Sequence, residues 1–161
     1  MTVREIFEVV LERTSKISTQ GKAIITENQG LDESLDNLQT ALLIPILVTV
    51  VENAFQADPT TKVSLASQKL EECLSIHVSD TSGGIPESER ESLFKPKKSR
   101  KKGGTGLGLA IAQQLALSIG ANFELVRSDA KGSEFKLELE HHSHVSEHDT
   151  TSPLPDPQTV L

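Results

Sequence analysis

The 161-residue chain carries 16 Lys and Arg against 23 Asp and Glu, a net charge of −7 at pH 7, and its five Phe are accompanied by no Trp or Tyr. That is one domain's worth of chain with a core to be made from Leu, Ile, Val and Ala, and the single Cys73 excludes an internal disulfide and a cysteine-rich metal site. An acidic body almost without stacking aromatics also excludes a nucleic-acid binder, which would present a broad basic face.

Val3, Ile6, Phe7 and Val10 recur at helical spacing, so VREIFEVVLE (3–12) is predicted to be an amphipathic helix. The opening MTVREIFEVV has acidic residues and no apolar h-region, which is not the pattern of a signal peptide. AIIT (23–26) is a short β-prone run, and GLDESLDNLQ (30–39) reads as an acidic, polar connection. From about Leu38 to Ala57 the pattern is helical and strongly apolar, and Asp58 and Pro59 stop it; such a helix is expected to be buried against a sheet. Its apolar run ALLIPILVTVV (41–51) is about half of what a bilayer crossing needs and contains Pro45, so a soluble chain is expected, and the lone cysteine fits a reducing compartment such as the cytoplasm.

KVSLAS (62–67) and LSIHVSD (74–80) alternate as strands around a turn in QKLEE. DTSGGIP is an irregular turn, ESERESLF (87–94) gives one or two helical turns, and a helix runs through LGLAIAQQLALSIG to a stop at Gly120. NFELVRS (122–128) and EFKLELE (134–140) form a final hairpin around DAKG. Beyond Glu140 the composition loses every period, so residues 141–161 are expected to be a disordered tail on a 1–140 domain. The elements together predict an α/β sandwich (α+β in the order of its parts) with mixed or antiparallel strand pairing.

Three stretches carry candidate chemistry. KPKKSRKK places Lys95, Lys97, Lys98, Arg100, Lys101 and Lys102 directly before GGTGLGLA (103–110); without them ten cations face twenty-three acids, a balance of −13. A compact basic island before glycines that run into a helix suits a small polyanion, because the first helical N–H groups lack intrahelical partners. A solvated flexible loop is the plain alternative. No strand leads into the glycines and no G-K-S or G-K-T follows, so neither a Rossmann fingerprint nor a Walker loop is read here. Asn53, within VVENAFQA, is costly to bury unless its amide has a task, such as coordinating Mg²⁺ or bonding neighbouring backbone. Asp80, in VSDTSGGIP, closes an apolar strand before two glycines, a place to accept from an exocyclic amine or simply to make a turn.

The order of these stretches is more specific than any one of them. ENA, then D-x-x-G-G-I-P, then LFKP, then GGTGLGLAIA resembles the ATP-binding domain of sensor histidine kinases, in the superfamily that also holds gyrase and MutL, over roughly residues 1–140. The resemblance implies a two-layer sandwich of about three helices on a mixed, largely antiparallel sheet, with a flexible ATP lid over 94–102. It implies Mg²⁺–ATP as ligand, with Asn53 on the metal, Asp80 on the adenine amino group, and Gly84 and Ile85 lining the purine pocket. Gly104, Thr105, Gly106, Leu107 and Gly108 would form the hinge and helix start that hold the phosphates, and Lys98, Arg100 or Lys101 would reach the γ-phosphate. The implied partners are a dimerisation and phosphoacceptor domain carrying the target histidine, in the same parent protein or in trans, and a response regulator downstream. Positioning and charge neutralisation would do most of the phosphoryl transfer.

Several positions depart from the family pattern. Thr49 stands one turn before Asn53 where Asn or Glu is usual, so Glu52 becomes the candidate base, beside Lys101, with a solvated helix edge as the alternative. Gln56 replaces a common Lys, Ser82 replaces the first Gly of D-x-G-x-G, and Lys97 replaces an aromatic lid anchor. His77, in an alternating strand, is read as structural. These departures keep two alternatives open: a catalytically weakened nucleotide-binding regulator of the same fold, and an anti-sigma-type serine kinase.

Overall fold

Thr2 begins the first helix through a capping box. Its Oγ1 accepts from the Glu5 N–H at 3.3 Å while Glu5 Oε2 accepts from the Thr2 N–H at 2.8 Å. Asp36 and Gln39 repeat the device at 2.7 and 3.2 Å, and each cap contributes about 1 kcal/mol. These caps set the starts of α1 (Val3–Thr14) and α2 (Asn37–Ala57). A computed structural model describes residues 1–26, 29–96 and 106–140.

Between these helices lies β1 (Lys22–Ile25), and after them come β2 (Lys62–Lys69), β3 (Cys73–Asp80), the single turn α3 (Glu87–Arg90), α4 (Gly108–Ser118), β4 (Ala121–Asp129) and β5 (Gly132–Glu140). The five strands form one sheet in the order β1-β2-β3-β5-β4, parallel between β1 and β2 and antiparallel elsewhere. The long helices make the second layer: α1 packs on β1, α2 on β3 and α4 on β4, with α2 between the other two. The mixed two-layer sandwich expected from the sequence is present.

Strand alternation divides the sheet into two chemistries. Val63, Leu65, Leu74, Ile76, Val78, Phe123, Phe135, Leu137 and Leu139 are buried under the helices. The opposite face carries Ala66, Gln68, His77, Ser79, Glu134 and Lys136 along a shallow open depression and its neighbouring ion pairs. His77 bridges two partners there, with Nε2 2.9 Å from Ser75 Oγ and Nδ1 2.9 Å from Glu134 Oε1, so its reading as a structural histidine fits its surroundings.

Two local expectations change. The polar connection 30–39 buries Leu31, and the Leu31 and Glu33 carbonyls accept from the Arg4 and Val3 N–H groups at 2.9 Å, so this loop completes the first turn of α1. The helix α2 contains an 18-residue stretch with a mean hydropathy of 1.6, so by length and composition alone it could cross a membrane. It nevertheless continues through Pro45 as the central core helix, with Leu43, Ile44, Ile46, Leu47, Val50, Val51 and Phe55 buried in protein.

Candidate functional site

α2 presents Thr49 and Asn53 one turn apart on the same face, both half-buried. α4 meets that face at its first residue: a Cβ built on Gly108 would stand 3.2 Å from Thr49 Cγ2. Only a glycine lets the helices approach so closely without displacing Thr49. Gly106, with φ of 73°, turns the chain into α4, and Leu107 is the N-cap residue with no side-chain cap on the helix start. Gly106, Leu107 and Gly108 therefore lie beside the Thr49–Asn53 face. Glu52, half-buried, neighbours Asn53 about 100° round the helix and makes no ion pair among the described residues.

Asp80 ends β3 on the helix-facing side and is 8% exposed. Its Oδ1 accepts from the Ser82 N–H at 2.8 Å, from the Ser82 hydroxyl, and more distantly from the Ser133 N–H at 3.4 Å. Its Oδ2 receives no hydrogen bond from the described residues. Asp80 and Asn53 share one end of the molecule. α2 stops at Ala57, and Thr61, four residues on, exchanges hydrogen bonds with Thr81, next to Asp80: Oγ1 to Oγ1 at 3.3 Å and Thr81 N to Thr61 Oγ1 at 3.1 Å.

The turn after Asp80 is tied to the β4–β5 hairpin. The Ile85 N–H donates to Ser128 Oγ at 2.7 Å, and Arg90 clamps from outside through Nε to the Ile85 carbonyl at 3.0 Å and Nη2 to the Ser128 carbonyl at 2.7 Å. Gly84, at φ of 75°, lies so near the Asp129 backbone that a Cβ would collide with its carbonyl oxygen. Gly83, by contrast, is exposed, and a Cβ there would meet nothing within 4 Å. Asp129 is itself held in place: the Lys131 N–H and then the Arg127 guanidinium keep its carboxyl below the usual carboxylate range. Ser128, Ser133 and Arg90 form this frame, and no pattern in the sequence singles them out.

Below the turn, Leu93 is buried and Phe94 packs edge-on against Phe123 at 5.2 Å and Phe135 at 6.4 Å. Three of the five Phe thus gather at the base of the basic segment. Lys98, Arg100, Lys101, Gly104 and Thr105, together with Lys97, lie outside the described residues.

These residues fit a purine nucleotide. A carboxylate oxygen that takes no hydrogen bond from the described residues ends β3, and a helix start without a side-chain cap flanks an amide-bearing helix. They also fit Mg²⁺, which takes few protein ligands and completes its shell from water and phosphate; Asn53 would be the ligand.

A helical layer on a mixed sheet, with an acidic strand end and an amide on the central helix at one edge, defines an ATPase sandwich of the kind used by sensor kinases. The profile of the histidine kinase-, DNA gyrase B- and HSP90-like ATPase family matches residues 39–143, and the chain belongs to that family. It is similar to the autoinducer 2 sensor kinase/phosphatase LuxQ of Vibrio vulnificus (strain YJ016), 32% identical over 129 residues that make up 72% of this chain and 15% of that protein. The tetrathionate sensor histidine kinase TtrS of Salmonella typhimurium is 37% identical over 78 residues, 48% of this chain and 13% of that protein. The chain therefore spans only a small part of these relatives' length. Among solved structures, the mycobacterial sensor histidine kinase MprB superposes with a TM-score of 0.71 at 21% identity, over 87% of this chain and 96% of that one. The catalytic domain of histidine kinase ThkA gives 0.69 at 23% identity, over 86% and 89%. Both share the fold.

Proposed function

We propose that the chain is the Mg²⁺–ATP-binding catalytic domain of a two-component sensor histidine kinase, which transfers the γ-phosphoryl group to a histidine on a separate dimerisation and phosphoacceptor domain. The observation that carries this reading is Asp80: one carboxylate oxygen is occupied by Ser82 and Ser133, and the other takes no hydrogen bond from the described residues. An open carboxylate oxygen accepts from the adenine amino group, and Gly84 and Ile85 line the same pocket. Asn53 would hold a magnesium ion, which would supply neutralisation of the phosphate charge. Gly104 to Gly108 cradle the phosphates at the start of α4, and Lys98, Arg100 and Lys101 reach toward the γ-phosphate from the lid. In the transfer, the lone pair of a histidine nitrogen attacks the γ-phosphorus; the new P–N bond forms as the P–O bond to ADP breaks. Glu52 holds the proton on the other ring nitrogen.

The partners in this reading are the phosphoacceptor domain and, downstream, a response regulator. Residues 1–140 form the working domain, 141–161 a tail outside it, and the site of action is the cytoplasm. The test is calorimetry with ATP analogues on the wild type and Asp80→Asn. A loss of at least about 2 kcal/mol, roughly thirtyfold in affinity, is expected for a charged hydrogen bond. Unchanged binding would mean that the purine lies elsewhere.

A second reading, a nucleotide-sensing regulator without transfer, is favoured by Thr49. Its methyl lies toward Gly108, and Thr49 stands where the family pattern has Asn or Glu, leaving Asn53 without a carboxylate or amide partner one turn back on that face. This reading expects ATP and ADP to bind alike and to survive removal of Mg²⁺. Strong Mg²⁺ dependence, with acid-labile phosphohistidine formed on the parent's phosphoacceptor domain, selects the kinase.

A further inference from the structure

We propose that Ser82 is the positioning residue that makes this site selective for 6-aminopurines. The inference rests on the reading of Asp80 as the adenine contact and goes beyond it, because Ser82 stands where the family pattern has glycine. Its role is assigned here by geometry.

Ser82 is 6% exposed, so its hydroxyl is hidden from water and must bond within the protein. It donates to Asp80 Oδ1, the same oxygen that accepts the Ser82 N–H at 2.8 Å. The Ser133 N–H, from the start of β5, stands 3.4 Å from that oxygen as well. Three donors converge on Oδ1 and none on Oδ2 among the described residues. A carboxylate held by one oxygen cannot rotate about its Cβ–Cγ bond without breaking those bonds, so the direction of Oδ2 is fixed as well. Glycine at position 82 would keep the backbone donor and lose the hydroxyl.

The chemical consequence concerns which purine fits. A fixed, charged acceptor attracts a 6-amino group and repels the 6-oxo group of a guanine or hypoxanthine, since acceptor meets acceptor. With the hydroxyl removed, only the two backbone donors remain on Oδ1 and the carboxylate turns more readily, weakening the amine contact and the repulsion together. Ser82 therefore acts on base discrimination through Asp80 and touches neither the phosphates nor the metal.

The experiment measures binding of ATP, purine riboside triphosphate (which lacks the 6-amino group) and GTP to the full 161-residue chain. The proteins are wild type, Ser82→Gly, Ser82→Ala, Ser82→Thr and Asp80→Asn. The expected result is an ATP affinity about tenfold weaker in the Gly and Ala variants, with purine riboside triphosphate changed less than about twofold and Thr restoring the wild-type value. The ratio of ATP to GTP affinity falls in step. Equal losses for ATP and the 6-unsubstituted nucleotide would overturn the proposal, because a residue that merely supports the turn weakens both. So would unchanged ATP affinity in both Ser82 variants. The Asp80→Asn arm separates the layers: if it loses ATP selectively while Ser82 variants do not, the adenine site stands and the Ser82 role fails; if it also binds ATP normally, both fail.

Discussion

Two glycines near Asp80 show how much of the site is set by single residues. Gly132 has φ of 135°, and a Cβ there would run into the Asp80 carbonyl oxygen; Gly84 meets the Asp129 carbonyl in the same way. Both strain and collision act against any side chain at these points. Gly132→Ala is expected to cost about 2–3 kcal/mol of stability, read as a lower urea midpoint, and to weaken ATP binding by shifting Asp80. Asp80 and Asn53 were legible in the sequence because their residue types are out of place: a carboxylate ending an apolar strand and an amide within an apolar helix. The frame around them was not. Ser128 meets the turn at Ile85 from 43 residues away, and Arg90 ties that turn to the Ser128 carbonyl 38 residues on; serines and an arginine leave no local trace of such pairing.

The elements themselves were visible through their periods, and the misses have a common cause. β2 continues to Lys69, past the alternation that ends near Ser67, because Gln68 and Lys69 keep pairing with Ser75 and Leu74 while their side chains face solvent. A backbone ladder needs no hydrophobic signal to go on. Strand order was beyond reach as well: β5 inserts between β3 and β4, and only the packed core decides that. LFKP illustrates an intermediate case. It stands out in the sequence as a family motif, yet what holds Phe94 is its contact with Phe123 and Phe135, from strands near the chain's end. Phe94→Ala is expected to lower stability by about 2 kcal/mol, with Phe94→Leu recovering part of it, as measured by chemical denaturation.

At the scale of the molecule, three of the described ionisable groups titrate away from their ordinary values, two carboxyls toward acid and one lysine toward alkali. The Thr60 hydroxyl and N–H hold the Asp58 carboxyl below the usual range, and the Lys131 N–H and Arg127 do the same for Asp129. Both contributions are present above the ordinary carboxylate value and are lost as pH falls through the lowered one. Lys136 is raised by the hydrogen bonds it donates to Glu124 and Glu138, so its contribution is complete below the ordinary lysine value and disappears as pH rises through the raised one. Thermal midpoints are therefore expected to take no slope from these groups between about pH 5 and about pH 9. Lys136→Met is expected to flatten the alkaline limb of that profile and leave the acid limb unchanged.

The family profile begins at Gln39, but Val3, Ile6, Phe7 and Val10 are fully enclosed. An expression clone trimmed to the profile's edges would strip α1 from the flank of α2 and lay bare a greasy trench along the central helix. Such material belongs in inclusion bodies, so the first dozen residues are part of the folding unit even though the family signature passes them over.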